Sequence, residues 1–200
     1  MEKIKKSINK ETPVSHDIHP LIKNRWSPRV FDEQMVSEED MKTLFEAGRW
    51  APSSNNLQPW AIIWGEKGSE TYERIYNVLS DFNQGWVKNA PILLLTAYNT
   101  KNPNGNENFH ALHDVGLFMA TLSIQAESMG IAVHQMGGVK HQDAKKEFNL
   151  PEDYHIATSA AIGFYGGDPD KLPEDLKESE LEEVRKRKDQ KEFIFKGDFK

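Results

Sequence analysis

Ala51-Pro52-Ser53-Ser54-Asn55-Asn56-Leu57-Gln58-Pro59-Trp60 stands between a helical pattern and an apolar strand. Its two prolines fix φ and restrict the residues before them, so the segment is a defined loop. Ser, Asn and Gln bring donors and acceptors without charge. Such a loop suits a planar polar heterocycle. It suits equally a turn whose side chains satisfy their own backbone. The flanking sequence has to decide between the two.

Upstream, Ser37-Glu38-Glu39-Asp40 has the form of a capping box with Asp in place of Glu. Met41, Leu44, Phe45 and Gly48 follow at helical spacing, which predicts a helix over residues 38–50. Downstream, residues 60–64 read as a buried strand. Ser69 caps a helix carrying Tyr72, Ile75, Tyr76 and Leu79, and residues 80–90, with Asn83 and Trp86, read as irregular. Residues 91–97 form the clearest strand, and its continuous apolar run predicts a central place in a sheet.

A polar loop at 99–108 contains an Asn-Gly turn. A long helix then runs from about Phe109 to Met129 and stops at Gly130. Leu112, Val115, Gly116, Met119, Leu122, Ser123 and Ala126 share one stripe, and Leu117, Phe118 and Ile124 add apolar surface elsewhere. This predicts a central or interface helix. Residues 131–136 are a strand closed by Gly137-Gly138, which serves a close ligand approach or a plain turn. A short helix at 141–148 and a fourth strand at 154–164 complete the pattern.

At the N-terminus, residues 1–14 read as a flexible charged tail, followed by a short helix with Pro20 in its first turns. Residues 168–200 are highly charged but end near the apolar Phe193-Ile194-Phe195, which is expected to dock on this subunit or on a partner. No linker divides the chain, so residues 1–200 read as one domain.

With 200 residues the chain can bury a real core. Its formal net charge of −6 argues against nucleic acid or an anionic membrane surface as partner. No apolar run approaches the ~20 residues of a membrane span. No secretory signal is visible, so cytoplasm is the expected compartment. Absence of cysteine removes disulfides, thiol nucleophiles and thiolate metal sites.

Arg25-Trp26-Ser27-Pro28-Arg29 places two arginines around a serine, an anion cradle or a solvated surface pair. Arg185-Lys186-Arg187-Lys188 is a second basic cluster. It reads either as a charged helix face balancing Glu182 and Glu183 or as the other half of a phosphate site. His110 and His113 have a spacing that could share a metal, but no third ligand is apparent and none is expected. Motifs for dinucleotide-binding, phosphate-loop and serine-hydrolase sites are missing, and no nucleophile or general base stands out. Such a protein could borrow its reactivity from a cofactor.

Taken together, the 25–31 segment, the 51–60 loop, Met136-Gly137-Gly138 and the 185–197 stretch resemble the FMN-dependent nitroreductase family. The resemblance runs from about residue 17 to the C-terminus. It implies an α+β fold with a central, mostly antiparallel sheet flanked by helices, in an intertwined homodimer. It also implies FMN at the interface, NADH or NADPH as electron donor and a small-molecule electron acceptor. The C-terminal extension, residues 168–200, would reach the partner subunit.

By position, Arg25, Ser27 and Arg29, with Arg185 and Arg187, would hold the FMN phosphate. Pro52, Ser53, Ser54, Asn56 and Gln58 would line the flavin, partly from the other subunit. Asn83 would contact the isoalloxazine, and Met136, Gly137 and Gly138 would lie along its edge. Trp26 departs from the Arg or His of many relatives and brings an indole that can donate or stack but carries no charge. Alternatives are a flavin-binding or sensing dimer with little turnover, and an oxygen-using or dehalogenating branch of the family.

Overall fold

The computed structural model describes residue 8 and residues 10–199. Seven α-helices and four strands are formed among them. The strands are β1 (Trp60–Glu66), β2 (Ile92–Asn99), β3 (Ile131–Met136) and β4 (Tyr154–Phe164). They make one sheet in the order β1-β2-β4-β3, antiparallel throughout. β2 lies inside the sheet and is buried over residues 92–97, as its apolar run predicts.

Side-chain alternation along the strands builds two cores, one on each face. Ile92, Leu94, Ile131, Val133, Ala160 and Ile162 face α2 (Glu38–Arg49) and α5 (Ala111–Ser128). Leu93, Leu95, Ala97, Ala132 and Ala161 face the opposite side with Tyr72, Ile75, Trp86 and Val87. Those four come from α3 (Glu70–Asn77) and α4 (Asp81–Val87). The capping box at α2 forms with Asp in the role of Glu: Asp40 N donates to Ser37 Oγ at 3.1 Å, and Ser37 N to Asp40 Oδ2 at 3.2 Å.

Four expectations need correction. Residues 80–90 are not irregular: Ser80 caps α4, whose Asn83, Trp86 and Val87 are buried. Leu112 does not join the buried stripe of α5 but is 55 % exposed. The basic cluster at 185–188 is not a helix face, because α7 (Glu174–Leu181) ends before it. The N-terminal tail is docked from residue 10 to 12: Glu11 pairs in parallel with Val184, with Glu11 N donating to Glu183 O at 2.7 Å and Arg185 N to Glu11 O at 3.1 Å. Residues 1–7 and 9 of that tail lie outside the described residues. α1 is Pro20–Asn24, with Pro20 at its first position, and α6 is His141–Glu147.

Candidate functional site

The segment that follows α1 is held in place by contacts from far along the chain. Phe31 bridges to Tyr165 just beyond β4, and Asp32 N donates to Phe164 O at 3.0 Å. Gly167 is required there: an added Cβ would meet Phe31 O at 2.4 Å, and its φ is +89°. Trp26 N donates to the Tyr165 hydroxyl at 3.3 Å, and that hydroxyl lies 2.7 Å from Glu127 Oε2. His134 of β3 has its Nδ1 2.9 Å from Pro28 O. A carbonyl only accepts, so Nδ1 carries the hydrogen. Burial first, then the nearby charges of Arg29 and Arg25, lower the His134 pKa to about 4, so the ring is neutral.

This frame presents Arg25, Trp26, Ser27 and Arg29 to a cleft of about 290 Å³. Arg185 and Arg187 line its other side, with Lys10, Glu180 and Lys186. Sequence positions 160 apart thus meet, and the arginine pair and the C-terminal cluster line one cleft. Arg25 Nη1 donates to Ser27 Oγ at 3.3 Å.

Among the described residues, Trp26 Nε1, Arg29 Nε and Arg185 Nε are buried with no acceptor, and all three belong to residues lining this cleft. A buried unmet donor costs about 1–3 kcal/mol. Burial, and then the like charges of Arg25 and Arg187, lower the Arg185 pKa. Such a cleft is short of negative charge. A multivalent oxyanion meets both needs, since guanidinium donors match phosphate geometry.

The 51–60 loop is a distinct feature. Residues Ser54–Asn56 form a 3-10 turn, and Asn55, Asn56 and Gln58 have φ of 50°, 55° and 48°. Asn tolerates this left-handed region better than most residues, and Gln58 does not share that tolerance. Gln58 N donates to Ser53 Oγ at 3.1 Å, and Ser54 N donates to Asp114 Oδ2 at 3.1 Å. Asp114 is 1 % exposed at the start of α5 and ties the loop to the core. Pro52, Asn56 and the Gln58 side chain stay exposed. Gln58 lines a second cleft with Lys101, Asn108 and Tyr154, which shares no residue with the arginine cleft. The single chain therefore does not bring loop and arginines together.

Asn83 and the double glycine form a third group. Asn83 Nδ2 donates to Gly138 O at 3.0 Å, and its Oδ1 accepts from Trp86 Nε1 at 3.3 Å. Trp86 packs on the His134 ring, with centroids 4.6 Å apart. A Cβ on Gly138 would meet Ser80 Oγ at 2.5 Å and Asn83 Nδ2 at 2.6 Å, whereas space around Gly137 is open. Asn83 thus braces the turn, and His134 and Trp86 link it to the arginine segment. Met136 is buried beside it.

Sequence reasoning missed Lys10, Asp114, His134 and Glu180. Lys10 and Glu180 sat in charged stretches with no distinguishing pattern. His134 was visible only as a strand residue. Asp114 stood beside His113, whose ring is largely exposed, with Nδ1 3.3 Å from Asp114 Oδ1. Among the described residues, no group of three or more His, Asp or Glu side chains is placed to hold a metal.

Comparison with known proteins points the same way. The profile of the nitroreductase family matches residues 22–84 and 66–164. A Cr(VI) reductase of Pseudomonas sp. strain G-1 is 24% identical over 68% of this chain and 61% of its own length. An NADPH-flavin oxidoreductase of Vibrio harveyi is 27% identical over 80% of this chain and 69% of its own. The chain therefore spans less than two thirds of the first of these. A crystal structure described as an oxidoreductase containing FMN superposes with a TM-score of 0.86 at 30% identity, covering 94% of this chain and 96% of the other.

Proposed function

The chain belongs to the nitroreductase family, and on that premise we propose that it is an FMN-dependent oxidoreductase whose arginine cleft holds the cofactor's phosphate. The observation that carries this reading is the set of unmet donors on Trp26, Arg29 and Arg185 around one cationic cleft. When bound, the flavin would accept a hydride from NADH or NADPH and pass electrons to a nitroaromatic, quinone or related conjugated acceptor. Donor and acceptor would take turns in one open site, a ping-pong scheme.

The protein's own part is to bind, orient and bias. Arg25, Ser27, Arg29, Arg185 and Arg187 would anchor the phosphate. Met136, Gly137 and Gly138 would offer backbone to the ring, where an N–H favours negative charge. Asn83 keeps that backbone in place through Gly138. Pro52, Ser53, Ser54, Asn56 and Gln58 would reach the flavin from a second copy, since their own chain holds them away from its cleft. Exposed apolar side chains support pairing: Trp50 is 74 % and Phe109 81 % exposed, and Trp50 borders a groove with Leu21, Ala47 and Ile124. The C-terminal extension would take part in that contact through Phe193 and Ile194, both exposed.

Titration with FMN and with riboflavin tests the reading, because the two differ only in the phosphate. Wild-type protein should prefer FMN by at least about a hundredfold, and Arg29→Met should lose most of that preference, as expected for a charge-assisted phosphate contact. Equal affinity for both flavins in wild type would sink it.

A further inference from the structure

The arginine cleft is completed by a stretch of chain that precedes the matched family region, residues 22–164. Lys10 Nζ donates to the carbonyls of Ser179 at 3.4 Å and Glu180 at 2.5 Å, and also to that of Glu182. These are carbonyls of the last turn of α7 and of the residue after it, the end of a helix where unpaired carbonyls and the dipole favour a cation. The ammonium also lies 5.0 Å from the Trp26 ring centroid, inside the same cleft. The next residue, Glu11, pairs on both sides with the backbone at 183–185. Thr12 Oγ1 donates to Lys23 O at 2.7 Å, and the Arg185 guanidinium donates to Thr12 Oγ1, Arg25 O and Lys23 O.

Three consecutive residues thus fix the segment that carries Arg185 and Arg187. Thr12 holds Nη2 of Arg185 while Arg25 O holds Nη1, and Nε is left without an acceptor. Lys10 also fixes α7, whose Glu180 carboxylate, 1 % exposed, accepts the Arg29 amide at 2.9 Å. Both arginine arms of the cleft therefore depend on residues 10–12.

We propose that residues 10–12 and 183–187 form a clasp that completes the phosphate site, with Lys10 as a positioning residue that also adds its charge to the cleft. The ligand is a phosphate monoester, the flavin mononucleotide of the proposed function, on which this inference rests. Lys10 caps helix α7, and Glu11 and Thr12 hold Arg185.

Fluorescence titration of the full chain with FMN and riboflavin, at low and high salt, tests it. Lys10→Met should weaken FMN about tenfold and flatten its salt dependence, with riboflavin affinity unchanged. Lys10→Arg should keep most of the FMN affinity. Thr12→Val, which keeps the Lys10 charge but removes one of the three Arg185 acceptors, should weaken FMN and leave riboflavin alone. This second variant decides the matter if Lys10→Met does not fold. Wild-type affinity for FMN in both variants would overturn the clasp alone. So would an equal loss of FMN and riboflavin, which marks general loosening. Failure of wild type to prefer FMN would overturn the proposed function and the clasp with it.

Discussion

The amide of Arg29 donates to the Glu180 carboxylate at 2.9 Å, while its guanidinium Nη1 stands 3.7 Å from the other carboxylate oxygen. A buried acid therefore sits inside a cationic cleft and orients one of its arginines. Burial pushes the Glu180 carboxyl above its usual value. The amides of Arg29 and Val30 and the charges of Arg29 and Lys10 oppose the shift without cancelling it. For a raised carboxyl, the associated stability is complete below the unfolded value near 4.5 and is lost as pH rises through the higher folded value. Glu180→Gln keeps an acceptor for the Arg29 amide. It should melt above wild type at neutral pH and with it at pH 4. Thermal melts at the two pH values check this, and a lower melting point at neutral pH would contradict it.

His134 shows the opposite sign. Its pKa falls to about 4, chiefly from burial. The neutral ring's stabilisation is complete above about pH 6.5 and is lost as pH falls through the folded value. The amount at stake is up to about 3 kcal/mol. His134→Asn, which can still donate toward Pro28 O, should flatten the fall in stability between pH 6.5 and 4. An acid profile identical to wild type would show that another group drives it.

Asp114 braces the 51–60 loop through one hydrogen bond, from Ser54 N. Asp114→Ala leaves that amide without its partner next to a run of left-handed residues and should cost about 1–3 kcal/mol. Asp114→Asn keeps an acceptor and should cost less. Denaturant unfolding of the two variants gives the comparison, and equal losses would mean that the charge, not the hydrogen bond, holds the loop.

Strands and the larger helices were legible because burial writes a period into the sequence. The run at 91–97 predicted an interior strand, and Ser37 with Asp40 predicted the start of α2. α4 was hidden by its shortness and by Gly85, although Ser80-Asp81 ahead of Trp86 and Val87 carried a start signal. Leu112 misled because its stripe continues onto surface that the single chain leaves open. The site was legible as types, arginines and amides, more than as geometry. Nothing in the sequence shows that Asn55, Asn56 and Gln58 take positive φ. The docking of residues 10–12 rests largely on backbone pairing and one ammonium, and neither leaves a hydrophobic pattern. Trp26 was read as a donor or a stacking surface. Its indole packs 6.0 Å from Tyr165, centroid to centroid, and its N–H is unmet, so it offers both.

Anaerobic mixing of the FMN-loaded protein with NADH or NADPH, followed by the flavin's visible absorbance, separates turnover from mere binding. An oxidoreductase of this kind should bleach within seconds with at least one nicotinamide, and the absorbance should return when a quinone or nitroaromatic is added. A bound flavin that stays oxidised for many minutes with both donors would contradict the proposed function and leave a flavin-binding protein without turnover.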